Sequence, residues 1–404
     1  MGVSIDAIKF NHDPNSATND ALNIRKSKSA FVKVPEWEKG KCTKHDDSRA
    51  AYAIKETAGK TLTIQARFSG GPAGGEVDIR AVDSSQSYPG KPGCVGAVLS
   101  IIAKMIQAVF GNALGEVKER KVKFDAKGDS GFVSFELVKV SLSKTPVGIR
   151  YTEWTWQWRE GKGAPWIDIE TTRHKIYVVL EVPKAPWVQQ PYNAANDQLP
   201  WTDVMDYSCV WAIGAKDRDF AAAKITECVN VLGPARIRYD TSVGATNYAR
   251  SGSFRCTRFL ERLDGKFGLG EKVNCTDCAT ITSTFSNVLG CDLWQSRMGA
   301  NFALNEIIAI GFAAWKVPFF GSFSYHEVAW EGACGRTDDL YDACLKVDGG
   351  LDPWNAPHPS ALLPVNTPFG TCGGKLDYVD RLTTKAGCLV CNPTPMTRQR
   401  RPVE

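Results

Sequence analysis

Between residues 61 and 187 several segments of the chain alternate apolar and polar positions with a period of two. Thr61-Leu62-Thr63-Ile64-Gln65-Ala66-Arg67-Phe68 shows the pattern most simply. Glu76 to Val82, Glu116 to Phe124, Gly131 to Val140 and His174 to Val182 carry β-branched residues in the same alternation, with Gly, Asp and Ser turns between them. That period belongs to strands with one buried face, and short strands at this spacing predict an antiparallel β-sandwich over 51–187. Trp154, Trp156 and Trp158 alternate too, so all three share one face of a strand. That face reads as sandwich core or interdomain surface; a solvent-exposed aromatic platform for a sugar or peptide is the sharper alternative.

The pattern changes on either side. Residues 1–50 are polar, with Asn/Asp-rich turns and little periodicity, and read as an irregular leader. Residues 188–201 are rich in Pro, Asn and Gln and read as a linker. Beyond it, over 202–404, apolar residues recur at helical spacing in Asp203 to Ala215, Phe220 to Leu232, Phe254 to Leu263 and Asn305 to Ala314. Helices precede strands in this half, which predicts an α+β domain ending in a loop-rich, proline-rich tail. The chain centres on Asn274-Cys275-Thr276-Asp277-Cys278-Ala279 and the run behind it, where Ile281, Phe285, Val288 and Leu289 mark one face of a buried amphipathic helix. Asn274 is placed as its N-cap, Asp277 adds an acidic group to the first turn, and Gly290 is placed to close it.

Composition removes several classes of function. At 404 residues, 43% hydrophobic and 23% charged, the chain has the balance of a globular protein with room for two cores. A net charge of +5 with scattered Lys and Arg gives no nucleic-acid footprint; the Arg398-Gln399-Arg400-Arg401 run reads as a solvated end. The opening residues lack the basic and apolar regions of a signal peptide, so a cytoplasmic place of synthesis is expected, with export only by a route that needs no such signal. Val95 to Ala113 is apolar but is interrupted by Lys104, Gln107 and Asn112, so it reads as a buried or partner-covered helix rather than a membrane span. Ala58-Gly59-Lys60-Thr61 imitates the end of a phosphate loop, but Ile54 stands where its first glycine belongs and a strand follows it.

Thirteen cysteines is an odd number, so at least one thiol lies outside any set of disulfides. Cys275 stands out among them, because the first turn of a helix offers unpaired N–H groups and a positive dipole end that favour a thiolate. A nucleophile needs a base, and the base needs an orienting group. Of five histidines, His326 lies in a strand pattern where His326, Val328 and Trp330 share a face. Leu340 to Val347 is a second strand pattern, separated from the first by a glycine-bearing turn. An antiparallel hairpin centred on Cys334 would set His326 directly opposite Asp342, with about 4.5–5.5 Å between their Cβ atoms.

Cysteine and helix, then histidine on one strand and aspartate on the next, resembles the transglutaminase-like superfamily with its papain-like core. Cys275, Asp277, Ala279 and Gly290 match the family's cysteine motif, and His326-Glu327-Val328-Ala329-Trp330 and Asp342 match its later ones. The chain also looks like a bacterial group of uncharacterised proteins that carry this core behind a β-domain. The resemblance implies a thiol enzyme that carries out acyl transfer or hydrolysis on a protein or peptide, as protease, amidase or transamidase. Cys275 would attack as thiolate, His326 would carry the proton and Asp342 would fix the imidazole tautomer. Asn274, Trp211 and Trp330 are the candidates for oxyanion or supporting roles. No cofactor is implied; the β-domain would present substrate or join a larger assembly.

Two other readings use the same residues. Cys275, Cys278, Cys388 and Cys391 form two Cys-x-x-Cys pairs that could hold a structural zinc ion. A degenerate core would instead serve as a non-catalytic binding or scaffold protein, with the three residues apart or the cleft sealed.

Overall fold

The computed structural model describes residues 2–12, 20–85, 112–189, 198–250, 252–266, 271–318, 321–355, 360–374 and 376–404. Among them the chain is mostly β with few helices and divides into two compact units. Described residues up to 182, with 189 and 198–216, form the first unit; residues 183–188 and the described residues from 217 on belong to the second. Most of the apolar stretch 95–113 and of the linker lies outside the described residues; among the described residues no helix is long and apolar enough to cross a membrane.

The first unit is built on nine strands: β1 (Ser4–Lys9), β2 (Trp37–Glu38), β3 (Arg49–Ala53), β4 (Thr63–Ser69), β5 (Glu76–Asp83), β6 (Glu116–Lys123), β7 (Phe132–Val138), β8 (Gly148–Arg159) and β9 (Ile167–Val179). They join into one curled sheet, in the order β2-β1-β4-β7-β6-β5-β8-β9-β3, rather than two separate sheets of a sandwich. The two halves are continuous because β6 and β7 pair at Glu116↔Val138 and Val117↔Leu137. Curling brings Ile5, Ile8, Ile64 and Phe68 into one core with Ile79, Trp154 and Trp156.

Residues 1–50 are not an irregular leader here. β1 pairs with β4 from Ser4↔Ser69 to Lys9↔Gln65 and buries Ile5 and Ile8, and β3 runs parallel to β9. The strand was hidden because Ser4-Ile5-Asp6-Ala7-Ile8-Lys9 contains a register shift between Ile5 and Ala7, which breaks strict alternation. Trp154 and Trp156 are fully buried and Trp158 is half-buried against the same core, so the tryptophan face is core and not an exposed platform. The expected helix at 203–215 forms over Thr202–Trp211 and belongs to this first unit.

The second unit packs the helix Cys275–Asn287 on a five-stranded antiparallel sheet. Its strands run Thr367–Pro368, Asp339–Tyr341, His326–Trp330, Trp294–Met298 and Pro393–Gln399 in spatial order. Helices Arg218–Asn230 and Cys256–Leu263 form close to where they were expected. The expected helix at 305–314 does not; Ile308–Ala309 is a short strand beside Leu345–Asp348. The central helix is buried on every side rather than amphipathic. Thr280 and Ser283 satisfy their hydroxyls by bonding back to the carbonyls of Thr276 and Ala279 at 2.7 and 2.8 Å, whereas the hydroxyls of Thr282, Thr284 and Ser286 are buried without a hydrogen-bond partner.

Candidate active site

Cys275 opens the central helix as its first residue. Asn274 caps it: its side chain accepts the Asp277 N–H at 3.1 Å, while Asp277 accepts the Asn274 N–H at 3.2 Å, a reciprocal capping box. Asp277 reaches further than a cap. Its buried carboxylate also accepts the backbone N–H groups of Asn247, Tyr248 and Ala249, each at 2.8 Å, and so ties that segment to the start of the helix. Burial pushes the Asp277 carboxyl above its ordinary value, although these N–H groups work against the shift.

His326 and Asp342 meet by a route other than direct cross-strand pairing. The observed pairs are Ala329↔Tyr341 and Trp330↔Leu340. That register lies two residues from the one a turn centred on Cys334 produces. Because side chains alternate with a period of two, the shift keeps both residues on one face and makes them diagonal neighbours. Asp342 also lies just past the strand Asp339–Tyr341, and Leu345–Asp348 resumes beyond it. Its Oδ1 accepts the N–H groups of Cys344 and Leu345 at 2.8 and 3.3 Å, a local turn that breaks the predicted continuous strand.

The freed Oδ2 of Asp342 lies 2.9 Å from His326 Nε2 and accepts the Tyr378 hydroxyl at 2.7 Å. His326 Nδ1 is buried and makes no hydrogen bond of ordinary geometry. The Cys275 thiol is the group that acts on the ring beside it. Burial opposes charge on His326, yet Asp342 next to it, aided by Cys275, lifts the imidazole pKa to about 10. The Phe323 ring stacks on the imidazole with centroids 5.5 Å apart. With Nε2 facing the carboxylate, Nδ1 is the ring nitrogen left without an acceptor or donor of its own. All three residues are closely covered: Cys275 is 5% exposed, His326 0% and Asp342 1%.

The neighbouring His326–Glu327 step carries a second polar cluster. Glu327, fully buried, accepts from Arg401 at 2.6 Å, from Thr276 at 3.1 Å and from Arg297 at 3.2 Å. Arg401 also donates to Thr280 and Gln295. The Tyr325 hydroxyl lies 3.3 Å from Thr276 Oγ1, and the Arg297 guanidinium stacks 4.2 Å from the Tyr325 ring. Cys278 and Cys344 hydrogen-bond to each other. That bond pulls the Cys278 thiol down, but burial and the carboxylates of Asp277 and Asp342 outweigh it and raise its pKa.

The supporting residues expected from sequence fare differently. Asn274 spends its amide on Gly244 O at 2.8 Å and its oxygen on the cap. Trp330 gives its indole N–H to Ser296 O at 3.1 Å and stacks on Phe369. Trp211 belongs to the first unit, where its ring packs against Tyr207. The four-cysteine zinc set is not gathered either: among the described residues, the group with metal-ligand atoms within 4.8 Å of one another is Cys372, Asp380 and Cys388. Sequence reasoning missed Tyr378, Glu327 as a buried anchor, and Arg401. Tyr378 stands 36 residues from Asp342 with no local pattern linking them, whereas a lone Glu inside an apolar strand was a usable signal.

No protein-family model matches the chain, and no curated protein matches it in sequence. Among solved structures it is similar to the transglutaminase of red sea bream, with TM-score 0.38 and 11% identity over 85% of this chain. It spans 53% of that protein's length.

Proposed function

We propose that the second unit is a thiol enzyme of transglutaminase-like type, catalysing acyl transfer or hydrolysis on a protein or peptide. The observation that carries this reading is the His326 Nε2–Asp342 Oδ2 contact of 2.9 Å, with Cys275 beside the same ring at the start of a helix. In the reaction, Cys275 sulfur bonds to the carbonyl carbon of a carboxamide while its proton resides on His326. The C–N bond then breaks, and the amine leaves with the His326 proton. Attack by an amine or by water on the thioester restores the thiol and completes transamidation or hydrolysis. Asp342, itself held by the Tyr378 hydroxyl, holds the imidazole, and the Cys275 backbone N–H serves as a donor to the developing oxyanion.

The burial of the three residues favours a second reading, a binding or scaffold protein on the same core. Labelling the folded chain with an iodoacetamide probe and mapping the adducts by mass spectrometry separates the two. The enzyme reading expects selective modification of Cys275 that drops at least tenfold in His326→Ala. A folded chain whose Cys275 labels no faster than its other thiols, with or without His326, supports the scaffold.

A further inference from the structure

We infer that Cys372, Cys388 and Asp380 form a binding site for a thiophilic divalent cation of the zinc class, in exchange with the Cys372–Cys388 disulfide. This inference does not depend on the acyl-transfer reading. The two cysteine sulfurs and a carboxylate oxygen of Asp380 lie within 4.8 Å of one another. A tetrahedral zinc ion bound by sulfur at about 2.3 Å and carboxylate oxygen at about 2.1 Å spaces its ligands about 3.5–3.8 Å apart, so the cluster needs little movement once the sulfurs part. Three protein ligands leave one position for water.

The carboxylate supplies the second, independent observation. Asp380 is 3% exposed, and its side chain accepts one hydrogen bond, from Gly373 N–H at 2.8 Å. Among the described residues no Lys, Arg or His lies within ion-pair distance of it; Asp277, buried and also without a cation, is held by four backbone N–H groups, whereas Asp380 has the one from Gly373. A buried carboxylate is costly unless it is paired or bound to a metal. The cation that fits beside it is one that also binds thiolates. Gly373 then orients the carboxylate as an outer hydrogen-bond partner, and the half-exposed Cys372 gives a way in. The ligands come from the loop around Cys372, the helix Tyr378–Leu382 and the short turn Gly387–Leu389. That helix also carries Tyr378, the donor to Asp342.

Exchange between the two states balances simply. A dithiol reductant closes to its own disulfide and delivers two electrons and two protons to Cys372–Cys388, giving two thiols. The cation then displaces both thiol protons to water.

Cobalt(II) titration of the full chain tests the site. The chain is reduced with dithiothreitol and desalted without oxygen, and thiolate-to-cobalt absorbance is followed in the near ultraviolet. One equivalent per chain is expected, with affinity reduced at least tenfold in Asp380→Asn and in Cys372→Ser, and unchanged in Cys391→Ser. The oxidised wild-type chain should show no such band. Absence of the band in the reduced chain, its survival in Cys372→Ser, or equal binding by the oxidised chain would overturn the site. The oxidised-against-reduced comparison decides the matter even where a variant does not fold.

Discussion

His326 Nε2 and Asp342 Oδ2 lie 2.9 Å apart although neither residue is the other's partner in the sheet. The contact survives a two-residue difference in register because the side-chain period of a strand is also two. It is completed because Asp342 uses Oδ1 to turn the chain, which leaves Oδ2 to face the ring. The pair is buried, so its electrostatics should be visible in stability as well as in chemistry.

The first prediction concerns pH. The folded His326 pKa, near 10, lies above the unfolded value of 6.5. Its ion pair therefore stabilises the fold fully below 6.5, and that contribution fades as pH rises through the folded value. Urea midpoints should fall across this interval in the wild-type chain. In Asp342→Asn the decline should flatten, with a loss of about 3–5 kcal/mol at the acidic end. Parallel curves for the two proteins would show that the pair is not responsible.

Asp277 should matter more for folding than its place in a helix cap implies. Asp277→Ala strips the acceptor from four backbone N–H groups, those of Asn247, Tyr248, Ala249 and Asn274. A cost of about 3–5 kcal/mol is expected in urea denaturation. Asp277→Asn retains one acceptor oxygen and should lose less. A cost near that of a simple surface cap, about 1 kcal/mol, would contradict the anchoring role.

Glu327 and Arg401 should behave as one unit. Arg401→Ala leaves a buried carboxylate with only the half-exposed Arg297 as cation, for an expected loss of about 3–5 kcal/mol. Glu327→Gln combined with Arg401→Gln should cost less than the sum of the single changes, since the double variant leaves no buried charge of the pair unmatched. Additive losses in a double-mutant cycle would refute the coupling.

The tryptophan face tests the curled sheet. Trp156→Ala removes a fully buried ring that contacts Phe68 and Phe135, centroids 5.5 and 5.8 Å away. It should cost about 3–5 kcal/mol. Trp158→Ala, at the half-buried end of the same strand, should cost clearly less. Equal losses in thermal or urea unfolding would mean that the two rings share one environment.

Local pattern made several elements legible. Simple alternation marked β4, and a polar cap followed by helical spacing marked the start of the helix at Cys275. Where a local rule was broken, the reading failed. A register shift concealed β1, and apolar residues at 305–314 imitated a helix where the chain forms the short strand Ile308–Ala309. The spacing at 281–289 marked one apolar face of a helix, but the hydroxyl residues at 280–286 on its other sides are buried too.

The chain's own order of residues determined that a cysteine would begin a helix, that a histidine would sit on a strand, and that an aspartate would follow a turn. Those are short-range matters, governed by caps, periodicity and turn-forming side chains. Only the tertiary structure decided which atoms meet: Tyr378 on Asp342, Arg401 on Glu327, and Asp380 beside Cys372 and Cys388. Each of these joins residues far apart in the chain or separated by a loop. Such contacts are chosen by the need to satisfy buried polar groups once the core has closed, and that need has no signature in local sequence.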